Sequence, residues 1–440
     1  MGNYGETRNL VLARFGSHDT NTQNVQLIGD LYGKYFKNAR IEHGALLVDM
    51  NDTYYQTISG ATSFNGRAGA GMLDDALVEL NPQAYEDTWN GDLAAVMNAL
   101  DNGAYTAGEA DRILAAMSGA SHAAMGAAWS RDVDRQLRAI RNRTTSMGVA
   151  ECVVNEDMPF INVWINAEGD YTKLNNDGTL AGYKLSSWGG TVGVDVDFTN
   201  RFTAGVAFTY MNGDFTSCSA DQASGDLDRY YVSLFARYNH RAWTHTLVGT
   251  FGWADTSLDR TVNYAGGSYR TTGGSDGSAF GLLYEVGYTW ALNESATTCL
   301  QPIANVMFRH SNLGGYNESG SDAALSYGDS DSDVVTFGLG ARLQRAAGST
   351  FYNRTTLWEG RLLFKADAGE RSSYSNARFL GVQGSRSIKS ARYGACGLEI
   401  GAGVIIPVGS DADSLFFDVS AEFRGSYSEV NGVFGYRVNF

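Results

Sequence analysis

The chain has 440 residues, a net charge of −15, 53 glycines, only 4 prolines and 12% aromatic residues. The acidic balance excludes a nucleic-acid partner, because phosphate binding needs a basic surface. No run of apolar residues is long enough for a membrane-spanning helix, which leaves spanning strands open, since these are short, alternating and weakly hydropathic.

Residues 1–60 hold strand-like pieces at 9–13, 24–28 and 45–50, too little chain for a large core of its own. Leu10-Val11-Leu12-Ala13 is too short for the apolar region of an export signal. The expectation is therefore a signal already removed, or the C-terminal part of a longer chain. Residues 61–126 read as a helical linker. Residues 66–71 look like a small-residue linker leading into 72–80, residues 82–147 read as helical, and Leu93, Val96, Met97 and Leu100 share one helical face. Thr106 with Glu109 three residues on forms a capping box before the stripe Ile113, Leu114 and Met117.

Residues 127–158 change character. Trp129, Val133, Leu137 and Ile140 form one stripe, and Arg131, Arg135, Arg138, Arg141 and Arg143 occupy the rest of the helix. A charge run of this kind is ordinarily a solvated face. The sharper reading encloses the helix in a barrel, its arginines paired with inward acids such as Asp195, Asp197, Glu399 and Glu422.

From residue 159 to the end, apolar and polar residues alternate with period two, as in Val192-Gly193-Val194-Asp195-Val196-Asp197-Phe198. Twelve strands are expected, at 159–171, 184–198, 201–212, 227–239, 241–256, 278–292, 299–311, 332–346, 356–369, 391–408, 414–426 and 431–440. Short connections alternate with long ones at 172–183, 213–226, 257–277, 312–331 and 370–390, the last hairpin excepted. Short turns at one end and long, solvated Gly/Ser/Asn/Asp loops at the other are the arrangement of bacterial outer-membrane barrels. Trp164, Tyr210, Tyr238, Trp243, Trp253, Tyr288 and Trp290 are candidates for interfacial girdles. The chain ends on Phe434, Tyr436, Val438 and Phe440, separated by Gly435, Arg437 and Asn439. This is a strand with one apolar face that lipid would cover, pairing back to the first strand.

The small-residue linker, the Arg-bearing helix and a C-terminal stretch ending FFDVSAEFRGSYSEVNGVFGYRVNF together resemble monomeric type V autotransporters, over about residues 46–440. The resemblance implies an all-β membrane fold, a 12-stranded antiparallel transmembrane β-barrel with a luminal α-helix. Residues 1–60 would be a passenger remnant, 61–126 a helical linker, 127–158 the luminal helix and entry to the barrel, and 159–440 the barrel. It implies a non-enzymatic, cofactor-free, monomeric outer-membrane translocator and anchor that brings its own N-terminal passenger to the cell surface. Implied partners are outer-membrane lipid, the barrel-assembly machinery and periplasmic chaperones, with Phe434, Tyr436, Val438 and Phe440 as the sorting signal. Some members cleave themselves within an Asn-Asn pair of this helix. Here Asn142 is followed by Arg143, and Asn175-Asn176 lies in an expected outer loop, so no such cleavage is expected. A porin or adhesin barrel with a periplasmic N-terminal part is the alternative.

A barrel-mouth hydrolase is a further reading. Gly273-Gly274-Ser275-Asp276-Gly277 matches G-x-S-x-G, but the motif requires a strand before it and a helix after it. His310 near Asp329 and Asp331 is the one other candidate. The six histidines and four cysteines have no metal-ligand spacing, and a Cys152–Cys299 disulfide is conceivable in an exported chain.

Overall fold

The computed structural model describes residues 9–14, 36–42, 45–50, 54–58, 61–80, 91–101, 105–146, 160–199, 201–348, 355–408 and 413–440. At the N-terminus, β1 (Asn9–Arg14), β2 (Phe36–Glu42) and β3 (Ala45–Met50) pair antiparallel in the order β1-β3-β2. The strand expected at 24–28 lies outside the described residues, and β2 was not legible in the alternation.

Four helices follow: α1 (Tyr54–Ile58), α2 (Phe64–Leu80), α3 (Asp92–Asp101) and α4 (Ala107–Met117). The capping box at Thr106 and Glu109 is formed, each side chain bonding the other's backbone N–H. Residues 66–71 are not a linker but the first turns of α2. A Cβ on Gly69 would lie 1.9 Å from the Leu114 carbonyl oxygen, so glycine lets α2 and α4 touch backbone to backbone. Gly69→Val is expected to cost about 1–3 kcal/mol through overpacking. Limited proteolysis should then cut within α2–α4 sooner, while the barrel keeps its heat-modifiable gel mobility; unchanged cleavage would rule out this packing.

A fifth helix, α5 (Ala120–Ser146), leads to the barrel. It starts seven residues before the expected 127, and the expected continuation from 147 to 158 lies outside the described residues. The barrel strands are β4 (Phe160–Leu174), β5 (Tyr183–Thr199), β6 (Phe202–Ser217), β7 (Ser224–His240), β8 (Trp243–Tyr264) and β9 (Gly267–Tyr288), which the short β10 (Trp290–Ala291) continues. They go on with β11 (Thr298–Leu313), β13 (Ser330–Gly348), β14 (Thr355–Gly369), β17 (Cys396–Pro407), β18 (Ser414–Arg424) and β19 (Tyr427–Asn439). Each strand pairs antiparallel with the next, and β19 closes on β4 from Tyr427↔Leu174 to Asn439↔Asn162. The result is a closed twelve-stranded barrel with no free edge.

The pleat divides the strands into two faces. On β4, Ile161, Val163 and Ile165 point out while Asn162 and Trp164 are buried inside. Outward aromatics lie at two levels. Tyr238, Trp243 and Trp290 lie near the short-turn end, and Trp188, Tyr230 and Trp253 near the other. From Trp243 to Trp253 is about 33 Å of strand, or about 25 Å along the membrane normal at the usual tilt, which matches the apolar band of such barrels. Trp164 is a correction to the girdle: it is 1% exposed and faces the lumen.

The long outer connections also depart from expectation. Residues 257–277 are not a loop, because β8 and β9 run past the bilayer as a hairpin paired to its tip at Tyr264↔Gly267. The loops at 312–331 and 370–390 contribute β12 (Leu325–Tyr327), β15 (Tyr374–Phe379) and β16 (Arg386–Lys389), which form a second small sheet. Their buried side chains Leu325, Tyr327, Phe379, Val382 and Ile388, with Val262 and Tyr269 of the hairpin, share one core with Met72, Leu73, Leu77, Leu93, Met97, Leu114 and Met117. Outer loops and linker helices thus form a cap over the barrel mouth rather than a solvated fringe.

Candidate functional site: the plugged lumen

The lumen is filled by α5, and its wall has two kinds of surface. Trp129, Val133, Leu137 and Ile140 are buried against the wall around β7–β11. A Cβ on Gly281 would meet Leu137 at 2.7 Å, so this glycine makes room for the stripe. Trp129 Nε1 donates to the Ser278 and Asn312 carbonyls at 3.3 and 3.2 Å, and its ring stacks on Tyr231.

The opposite face of α5 is ionic and equally dry. Arg131 bonds Glu422 at 2.6 Å and Asp134 at 2.8 Å. Arg135 reaches Asp132 at 2.9 Å, Glu168 at 3.0 Å and Asp170 at 3.3 Å. Arg138 holds Glu429 at 2.7 Å, and Arg141 pairs with Glu399 and, at 3.5 Å, with Glu285. The wall's own cations join the network: Lys365 reaches Glu422 at 2.6 Å, Arg424 reaches Asp367 at 2.8 Å, and Arg229 pairs with Asp132. Two sets of arginines can share the lumen because most carboxylates serve a helix cation and a wall cation at once.

All four acids singled out from the sequence face inward, with different partners. Glu422 and Glu399 meet α5 at Arg131 and Arg141. Asp195 lies 4.0 Å from Arg143, while Asp197 faces Arg437 of β19 at 3.7 Å and accepts from Asn162. Glu168, Asp170, Glu285, Asp367 and Glu429 were missed. Parity would have found several: Glu168 and Asp170 share the inward register of Asn162 on β4, and Glu429 is the inward neighbour of the exposed Val430.

A second buried ion pair locks the cap to the wall. Arg260 on the hairpin beyond the bilayer donates to Glu318 from Nε at 2.8 Å and Nη2 at 2.5 Å, and from Nη1 to the Ala116 carbonyl at 3.3 Å. Burial would raise the Glu318 carboxyl, but Arg260 and bonds from Leu325 N–H and Tyr327 hydroxyl hold it below the usual carboxylate range.

The barrel closes on the terminal strand. Phe434, Tyr436 and Phe440 are exposed on the lipid side and Val438 is half-buried, while Arg437 Nε donates to Asn162 at 3.0 Å. The last residue is still paired: Phe440 N–H donates to the Ile161 carbonyl at 2.9 Å. The barrel strands, over residues 163–420, match the model of the autotransporter beta-domain. The chain belongs to that family. As an autotransporter β-domain it is an outer-membrane translocator barrel whose passenger side is the cell surface.

The translocator domain of autotransporter NalP from Neisseria meningitidis has a similar fold, with a TM-score of 0.51 and 16% identity, over 70% of this chain and 98% of that one. Two extracellular serine proteases of Serratia marcescens are 28% and 25% identical over 176 and 173 residues, 39% of this chain. The match spans only 16% of the length of these curated relatives.

The hydrolase candidates do not meet in this autotransporter barrel. Ser275 lies within β9, buried and bonded to the Asp276 and Gly314 carbonyls, with no helix after it. His310 is on the outer face and bonds Asp333 at 2.9 Å, not Asp329 or Asp331. The two side chains lie on opposite sides of the wall. Cys218 and Cys396 are free, and Cys152, one half of the disulfide considered above, lies outside the described residues.

Proposed function

We propose that this β-domain carries and then anchors its own N-terminal segment, with residues 1–60 as a passenger remnant at the cell surface and no enzymatic step of its own. The observation that supports this reading most directly is the direction of α5. The helix begins beneath the cap, where Ala120, Ala124 and Met125 pack with outer-end residues such as Tyr183 and Phe215. It ends near Asp195 at the short-turn end. Chain preceding α5 therefore lies on the outer side, and β4 begins at the short-turn, periplasmic end.

The cap and ion-paired helix then act as a plug once transport is complete. The outward apolar set Phe434, Tyr436, Val438 and Phe440 serves as the strand by which the barrel-assembly machinery recognises the chain, after delivery by periplasmic chaperones. Such recognition works by strand pairing plus alternate side-chain contacts.

The test is an epitope inserted within residues 15–35 on intact cells. It should be accessible to antibody and protease without permeabilisation. Access only after permeabilisation would favour a porin-like barrel with a periplasmic N-terminal part.

A further inference from the structure

Arg143 differs from the other arginines of α5. It is 8% exposed, yet its Nε and Nη2 have no hydrogen-bond acceptor. Arg131, Arg135, Arg138 and Arg141 each donate to a carboxylate of the wall. The guanidinium of Arg143 lies between the rings of Trp164 and Phe416, 4.9 Å from each centroid. These contacts hold it in place but satisfy none of its donors in the ring plane. The nearest carboxylate, Asp195, stops at 4.0 Å: its Oδ1 accepts from Asn162 at 2.7 Å, and its Oδ2, the oxygen toward Arg143, is too far for a hydrogen bond and has no other donor among the described residues.

The side chain opens on a cavity between the last turns of α5 and the closing strands of the barrel. Around it stand Arg437, the Asn166 amide and the Ser414 hydroxyl. Asn166 Oδ1 already accepts from Thr191 N–H, which leaves its NH₂ to face outward from that bond. The acids on the far side, Glu359 and Asp418, are both taken by Arg361. The cavity is thus lined by a buried cation, an amide and a hydroxyl, and the two carboxylates in its lining, Glu359 and Asp418, are engaged by Arg361.

We propose that this cavity binds a small monovalent anion of halide size, held by Arg143 together with Asn166 and Ser414. The two rings leave the guanidinium reachable only edge-on, and the cavity beside it, about 40 Å³, suits a compact anion rather than a phosphate. A bound anion would tie the foot of α5 to β4 and β18, next to the seam where the barrel closes. It would satisfy donors whose burial is otherwise costly.

Chloride-35 NMR on the full chain in detergent tests this, with R143Q and R143K alongside. Saturable line broadening is expected for the native chain and for R143K. In R143Q the affinity should fall about tenfold or more, the worth of a charge-assisted bond. Lack of saturable broadening in the native chain overturns the proposal, and that arm needs no variant to fold. Equal broadening in R143Q overturns it as well, and would leave Arg143 as a cation placed only for the C-terminal end of the helix dipole.

Discussion

Glu422→Ala should loosen the plug more than any other single change in the lumen. Glu422 faces Arg131 at 2.6 Å, Lys365 at 2.6 Å and Arg138 at 3.6 Å, and also bonds Arg424. Removing it leaves these cations in a dry interior with one carboxylate fewer, and truncating one partner of a buried ion network costs about 3–5 kcal/mol. Glu168→Ala should cost less, because Arg135 keeps Asp132 and Asp170. The expected readout in planar bilayers is a rise in ion conductance, large for Glu422→Ala and small for Glu168→Ala. Equal, unchanged conductance in both would mean that the apolar stripe and the cap alone retain α5. The network need not add net stability over an apolar filling. It sets the height and rotation at which the helix rests, since each arginine fits only one group of carboxylates.

Phe440→Asp should block assembly while altering the stability of the finished barrel little. Phe440 is 72% exposed, one residue past the end of β19, near the periplasmic interface. A charge on the lipid face costs about 2–4 kcal/mol at the bilayer midplane but falls to about 0–1 kcal/mol at the interfaces. Loss of the heat-modifiable band in cells is therefore a sign of failed recognition rather than of a weakened barrel. The control is refolding in vitro into detergent or lipid, where Phe440→Asp should fold nearly as the native chain does. Normal assembly in cells would remove the sorting role from this residue. Failure in both settings would assign the effect to stability.

The sequence alone determined the barrel, because period-two alternation is a local property. Once Ile161, Val163 and Ile165 face lipid, Asn162 and Trp164 must face inward, whatever the rest of the chain does. The same holds for α5, whose stripe from Trp129 to Ile140 is set by helical geometry. The capping box of α4 needs only four residues to form.

Partnership was not local. Arg131 meets Glu422 and Arg138 meets Glu429 across 291 residues of chain, and parity places each acid inside without saying at what height or opposite which turn of the helix. Only closure of the twelve strands and their register decide that. Trp164 illustrates the limit: its type suits a girdle, and its place in the pleat puts it beside Arg143 instead.

The cap was decided by tertiary structure altogether. Residues 266–277 are rich in Gly, Ser and Thr and read as a solvated loop. They become strand because Tyr269, Thr271 and Ser275 find buried sites beneath the linker helices and inside the barrel mouth. Composition reports what a segment prefers when exposed, and here the helices of residues 54–117 supply the partner surface that removes the exposure.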